Sequence, residues 1–166
     1  YLHPDTVVVA EVVAVASDPS RHMLMVDKGS EDKAFVGQPV IDAKGLLGQI
    51  VEVGLHHSRV LLITDSAHAI PVRISRNGLR AIAEGSGLID ELSVSHVAAT
   101  TDIQVGDLLV SSGLGGRFPA GYPVGEVTKV AIDPGKPFAE VRAKPLAELD
   151  RSRNVLLVFS DRPAAE

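Results

Sequence analysis

The stretch AIPVRISRNGLRAIAEG, residues 69–85, decides how the chain is read. Two apolar runs flank Asn77-Gly78, the strongest short-range hairpin signal, because both central positions of a type I′ turn need φ > 0. Residues 70–84 are therefore expected to stay in one sheet. A division of the chain near residue 77 would cut that hairpin.

Outward from the hairpin the same texture repeats. Upstream, RVLLIT (59–64) is a compact strand of buried type, and PVIDAKGLLGQIVEVG (39–54) holds two short apolar runs around Lys44-Gly45. TVVVAEVVAVAS (6–17) is apolar on both faces, and Asp18, Pro19 and Ser20 then turn the chain into HMLMVDKG (22–29), predicting a first hairpin. Downstream come LLVSS (108–112), PVGEVTKVAID (123–133), PFAEVRAKP (137–145) and NVLLVF (154–159). In PFAEVRAKP, Ala139, Val141 and Ala143 alternate with Glu140, Arg142 and Lys144, so this strand has one wet face. LAELDR (146–151) is the one helical-looking segment, one or two turns long. About eleven short strands between Gly/Pro turns, without βα alternation, predict an all-β protein of small barrels or sandwiches.

A chain of 166 residues can bury one sizeable core or two small ones. The hydrophobic share of 45 % excludes a disordered chain, and the aromatic share of 4 % leaves the core to Val, Leu, Ile and Ala. A net charge of −5 supplies no field that would draw the chain onto nucleic acid or anionic lipid. The absence of cysteine excludes disulfides and thiolate metal sites without deciding the compartment. The opening YLHPDT, with no signal-peptide pattern, reads as a soluble piece cut from something longer, and residues 161–166 read as a frayed tail.

Candidate chemistry is sparse. SSGLGGRFPAGYPVGEV (111–127) holds five glycines and two prolines, but Gly121 is followed by Tyr122-Pro123 where a P-loop needs a lysine. It is not a dinucleotide fingerprint either, since no helix follows. The order His56 or His57, Asp65, Ser112 matches that of chymotrypsin-like double barrels, yet it is compressed into too little chain. Asp65 is expected to close an Asx-type turn instead. The six histidines, His3, His22, His56, His57, His68 and His96, form no HxH or HExxH spacing. The carboxylate pairs Glu31-Asp32 and Asp90-Glu91 lie in polar turns. No catalytic, cofactor or metal site is predicted.

With those patterns in place, the runs VDKGSEDKAFVGQPVIDAKGLLGQIVEV, HSRVLLITDSAHAIPVRI, VGDLLVSSGLGGRFPAGYPVGEV and KPLAELDRSRNVLLVF together resemble the MreC family of bacterial rod shape-determining proteins, over about residues 6–160. The most specific segment is GDLLVSSGLGGRFPAGYPVGEV (106–127). The resemblance implies two small antiparallel β-barrels, distantly like the chymotrypsin arrangement and without a working triad. It implies a periplasmic scaffold of the cell-elongation machinery, anchored in the inner membrane through an upstream span. The implied partners are a second copy of the chain, a class B penicillin-binding protein, and MreB and MreD through upstream segments. The alternatives from other classes are a serine-hydrolase-like double barrel using Ser112 with His56 or His57, and a peptidoglycan-binding module; the latter is disfavoured because the chain has no Trp and only Tyr1 and Tyr122 as tyrosines.

The Asn77-Gly78 hairpin favours an insertion: a five-stranded barrel over 36–98 within a six-stranded barrel made of 1–35 and 99–160, the alternative being a sequential split near 77. An echo between FVGQPV (35–40) and FPAGYPV (118–124) hints at two related units. The expected structural turn comprises Gly106, Asp107, Gly113, Gly115, Gly116, Pro119, Gly121, Pro123 and Gly125, where glycines allow φ > 0 or close approach and prolines stiffen the return. Candidate contacts to a partner or a second copy are Leu46, Leu47 and Ile50 in GLLGQI and Phe118 with Tyr122; as the other reading, the first three are core and the two aromatics plug a barrel end. Strand addition at exposed barrel edges is the expected mode of self-association.

Overall fold

The computed structural model describes residues 6–16, 20–149 and 151–159. The Asp18-Pro19 turn, Tyr1, His3 and the 161–166 tail lie outside these residues. The strands are β1 (Thr6–Val15), β2 (Met23–Val26), β3 (Pro39–Ile41), β4 (Leu46–Val53), β5 (Ser58–Leu62), β6 (Ala69–Ile74), β7 (Arg80–Gly85), β8 (Leu92–Ser95), β9 (Leu108–Ser111), β10 (Pro123–Ala131), β11 (Glu140–Pro145) and β12 (Asn154–Phe159). One 3-10 turn, Ser30–Asp32, is the sole helical element among the described residues, and none of them forms a helix long and apolar enough to cross a membrane.

The strands close into two antiparallel barrels, ordered β1-β12-β3-β4-β5-β2 and β10-β11-β8-β7-β6-β9. Each has six strands, where six and about five were expected. The extra one is β8, LSVS, whose Leu92 and Val94 point inward while Ser93 and Ser95 point out. The division between barrels also differs from 36–98 within 1–35 and 99–160, and from a split near 77. β3, β4 and β5 close the first barrel with β1, β2 and β12, and β9, β10 and β11 close the second with β6, β7 and β8. The second barrel is thus continuous in sequence, over 69–145, between β5 and β12 of the first. The deciding pairings are β2 with β5 and β12 with β3, contacts between distant segments that no local pattern encodes. Closure gives every strand two neighbours, though not along its whole length: Thr6–Glu11 of β1 pair with β12, and Val12–Val15 with β2.

The 69–85 stretch is a hairpin, with Arg73 opposite Arg80 and Pro71 opposite Ile82. Its tip is not the two-residue type I′ turn. Four residues, Ser75 to Gly78, bridge the pair Ile74 and Leu79, and of Asn77 and Gly78 only Gly78 has positive φ, +77°. Asn77 instead accepts the Leu79 N–H through Oδ1 and donates from Nδ2 to the Asp102 carbonyl, 2.7 Å away. Nor does LAELDR form a helix: its described part is bends and turns, held by the Asp42 carboxylate, which accepts from the Glu148 N–H at 2.7 Å and the Ser152 hydroxyl at 3.1 Å.

Buried apolar side chains of both barrels form one connected cluster, dominated by Val, Leu, Ile and Ala as the composition required. Leu46, Leu47 and Ile50 belong to it, each with 0 % exposure. This corrects their reading as partner contacts. Consecutive Leu46 and Leu47 both turn inward because the β3–β4 register slips between Val40 and Ile41, leaving Leu47 as the extra residue of a bulge.

Candidate functional site

The segment joining the barrels, Ile63 to His68, is bonded to both. Ile63 N–H donates to Leu47 and the His22 N–H to Asp65 Oδ2 on the side of the first barrel; Gly85 and Gly87 N–H donate to the His68 and Thr64 carbonyls on the side of the second. Asp65 closes an Asx turn, its Oδ1 accepting from Ala67 N–H at 2.8 Å. His22 Nδ1 and Thr64 Oγ1 lie 2.8 Å apart. A linker held in this way behaves as part of the core.

The glycine-rich turn reaches the same joint. Gly113, Gly115, Gly116 and Gly121 have φ of +79°, +81°, +71° and +94°, which any larger residue would adopt under strain. Buried Ser111 pins the base of the turn: its hydroxyl donates to the Pro119 carbonyl at 2.6 Å and accepts from the Tyr122 N–H at 2.9 Å. Pro123 opens β10, and a Cβ on Gly125 would stand 2.8 Å from the Lys144 carbonyl oxygen. Gly37, in the echoing FVGQPV, has φ of +95° and likewise precedes a strand that begins with proline.

The turn carries Phe118 into the joint, where its ring meets His68 edge-on at 5.9 Å between centroids. Phe118 and Tyr122 are both buried, so neither offers a side chain to a partner. That corrects the second pair of candidate contacts: the aromatics fasten the turn to the protein itself. His68 is 4 % exposed, and neither ring nitrogen has a hydrogen-bond partner. Burial pushes its pKa down to about 4, opposed by nearby Asp65.

A second fastening sits at the hairpin tip. Arg76 donates from Nε and Nη2 to the two oxygens of buried Asp107, at 2.9 and 3.0 Å, and from Nη1 and Nη2 to Asp102. Asp107 Oδ2 also accepts from Gln104 N–H, and Gly106, with φ of +95°, donates to Val127. The Arg76 hydrogen bonds hold the Asp107 carboxyl below the usual carboxylate range. Asp107→Ala removes three bonds and leaves the Gln104 N–H unserved, so we expect a loss of about 1–3 kcal/mol in urea denaturation. An unchanged midpoint would show that the clamp is only a solvated ion pair.

The residues considered for hydrolysis are not brought together. His56 is exposed and pairs with Glu31 at 3.0 Å, the Asp65 oxygens accept from backbone N–H groups, and the Ser112 hydroxyl accepts from Leu114 N–H. No hydrogen bond joins Ser112, His56 or His57 to Asp65 among the described residues. Asp32 accepts from Gly29 N–H.

The features left on the surface are apolar strips. On β1, Val7, Val9 and Val13 are 43 %, 59 % and 47 % exposed. On the second barrel a shallow groove is lined by Pro71, Arg80, Ile82, His96, Ser112 and Leu114. Sequence reading missed both. A signal was present in β1, whose valines recur on both faces of a strand that has only one core to serve.

Comparison with known proteins fits this architecture. The family model for the barrel core of the rod shape-determining protein MreC matches residues 12–159. The cell shape-determining protein MreC of Haemophilus influenzae is 53 % identical over 91 % of the chain, and the chain spans 43 % of that relative's length. The crystal structure of MreC from Pseudomonas aeruginosa superposes with a TM-score of 0.91 at 58 % identity, covering 93 % of this chain and all of that one. A more distant structure, the complex between penicillin-binding protein PBP2 and MreC from Helicobacter pylori, superposes at 0.69 with 20 % identity, covering 95 % of this chain and 99 % of that one, and supports the fold.

Proposed function

The chain belongs to the MreC family of rod shape-determining proteins, and on that premise we propose that it is the periplasmic scaffold part of an inner-membrane-anchored protein of the cell-elongation machinery. In this reading it does no chemistry. It holds peptidoglycan synthases in place by binding a class B penicillin-binding protein and by associating with itself, while upstream segments serve MreB and MreD. The observation that carries the reading is the doubly fastened joint. A scaffold transmits position only if its two halves keep a fixed relation, and here the linker is hydrogen-bonded to both barrels, Phe118 packs against His68 of that linker, and Asp42 of the first barrel accepts from Glu148 N–H in the return segment. The PBP2 complex of the Helicobacter pylori relative supports the choice of partner.

The test is sedimentation velocity of the purified chain over a wide concentration range, alone and with the soluble domain of its cognate class B penicillin-binding protein. A mixed boundary heavier than either component is expected. Components that sediment independently at all concentrations would sink partner binding by these barrels.

A further inference from the structure

Two surface patches on different barrels complement each other. The first is the outer face of β1, where Val9 and Val13 flank Glu11 and Val7 lies further along the strand; Glu11 is an exposed carboxylate that makes no ion pair among the described residues. Asp27 stands beside it, its Oδ1 accepting from the Glu11 N–H at 2.7 Å. The second is the outer face of β6 and β7. Arg73 and Arg80 lie directly opposite each other there, next to the pair Pro71 and Ile82, and Leu114 lines the same groove. Like charges in direct cross-strand register destabilise a sheet, and neither guanidinium has an acid partner among the described residues. The carboxylate on that face of β7, Glu84, is four residues from Arg80, roughly 13 Å at the rise of a strand. In a chain of net charge −5, two adjacent unserved arginines are the exception, and the chain's own β1 supplies their complement.

We propose that β1 of one copy docks on the β6–β7 face of a second copy, placing Glu11 between Arg73 and Arg80 and the three valines over Pro71, Ile82 and Leu114. This rests on the scaffold reading and names the surfaces of its self-association. Because the two patches differ, the contact is heterologous and leaves one free patch at each end, so copies add head to tail. A face-to-face contact of this kind does not need a free strand edge.

Glu11→Arg and Arg80→Glu change exposed side chains and should leave circular dichroism and thermal unfolding unaltered. Each variant alone is expected to weaken self-association by at least about tenfold in sedimentation velocity. An equimolar mixture of the two is then expected to recover association, because each variant keeps one intact patch and the two intact patches match. Wild-type chain that stays monomeric at every concentration overturns the proposal. So does association that survives both variants, or a mixture that stays monomeric. Binding to the penicillin-binding protein is read in the same experiment; if it persists in either case, the scaffold reading stands and only this surface assignment fails.

Discussion

Gly85→Ala is expected to cost at least about 3 kcal/mol, a large share of the roughly 5–15 kcal/mol that holds a domain folded. Gly85 ends β7 where the strand passes under the linker, and its N–H donates to the His68 carbonyl at 3.0 Å. A Cβ there would run into the backbone carbonyl of Asp65 and the carbonyl carbon of Thr64. Backbone is the wrong thing to push. A flexible side chain could rotate away, but the Asp65 segment is held by bonds to Leu62, His22 and Ala67, so either the linker lifts or β7 shifts in its register. The cost is one of space, since Gly85 is not among the glycines with positive φ. Urea denaturation measures the loss, and limited digestion with a broad-specificity protease locates it: new cleavage within 63–68 is the expected site. A variant with wild-type midpoint and digestion pattern would mean that the barrels tolerate slack at the joint, and the rigidity argued for the scaffold would go with it.

How much of this was legible beforehand depends on the range of the contact. The 69–85 hairpin, the alternation in 139–144 and the turn glycines express local chemistry, and they stand where the sequence put them. β8 was legible too: Leu92-Ser93-Val94-Ser95 alternates cleanly, but four residues between Asp90-Glu91 and His96 make a faint signal. The barrel partition was hidden because β12 lies about a hundred residues from its partner β3, and nothing in either strand names the other. The sequence left Leu46 and Leu47 open between core and contact, because a bulge breaks the period-two rule used to assign faces. Phe118 and Tyr122 stayed open between contact and plug for a different reason. Aromatic residues in a glycine-rich turn invite an interface reading, and the pinning of that turn by Ser111 becomes apparent only when β9 and β10 are paired.

His68 gives the second large effect, in the pH dependence of stability. Its ring is buried without a hydrogen bond on either nitrogen, and burial holds its pKa at about 4 against 6.5 for a free imidazole. Between those values the unfolded chain binds the proton and the folded chain does not, so stability rises with pH through this window. The contribution is complete above about 6.5, falls as the pH drops, and is exhausted near 4. The shift corresponds to about 3 kcal/mol lost from this residue alone. Carboxylates with lowered pKa, such as Asp107, Asp102 and Glu148, add their own losses on the acid side, so a difference between variants isolates the histidine. His68→Phe should be at least as stable as wild type at pH 7.5, because it replaces two unserved polar atoms with ring carbon, and it should lose about 3 kcal/mol less on going to pH 4. His68→Leu guards against a steric clash with Phe118 and should show the same flattened profile. Parallel pH profiles for wild type and both variants would mean that water or a polar group reaches the ring. In that case the joint is wetter than its 4 % exposure at His68 indicates, and acid would not loosen it.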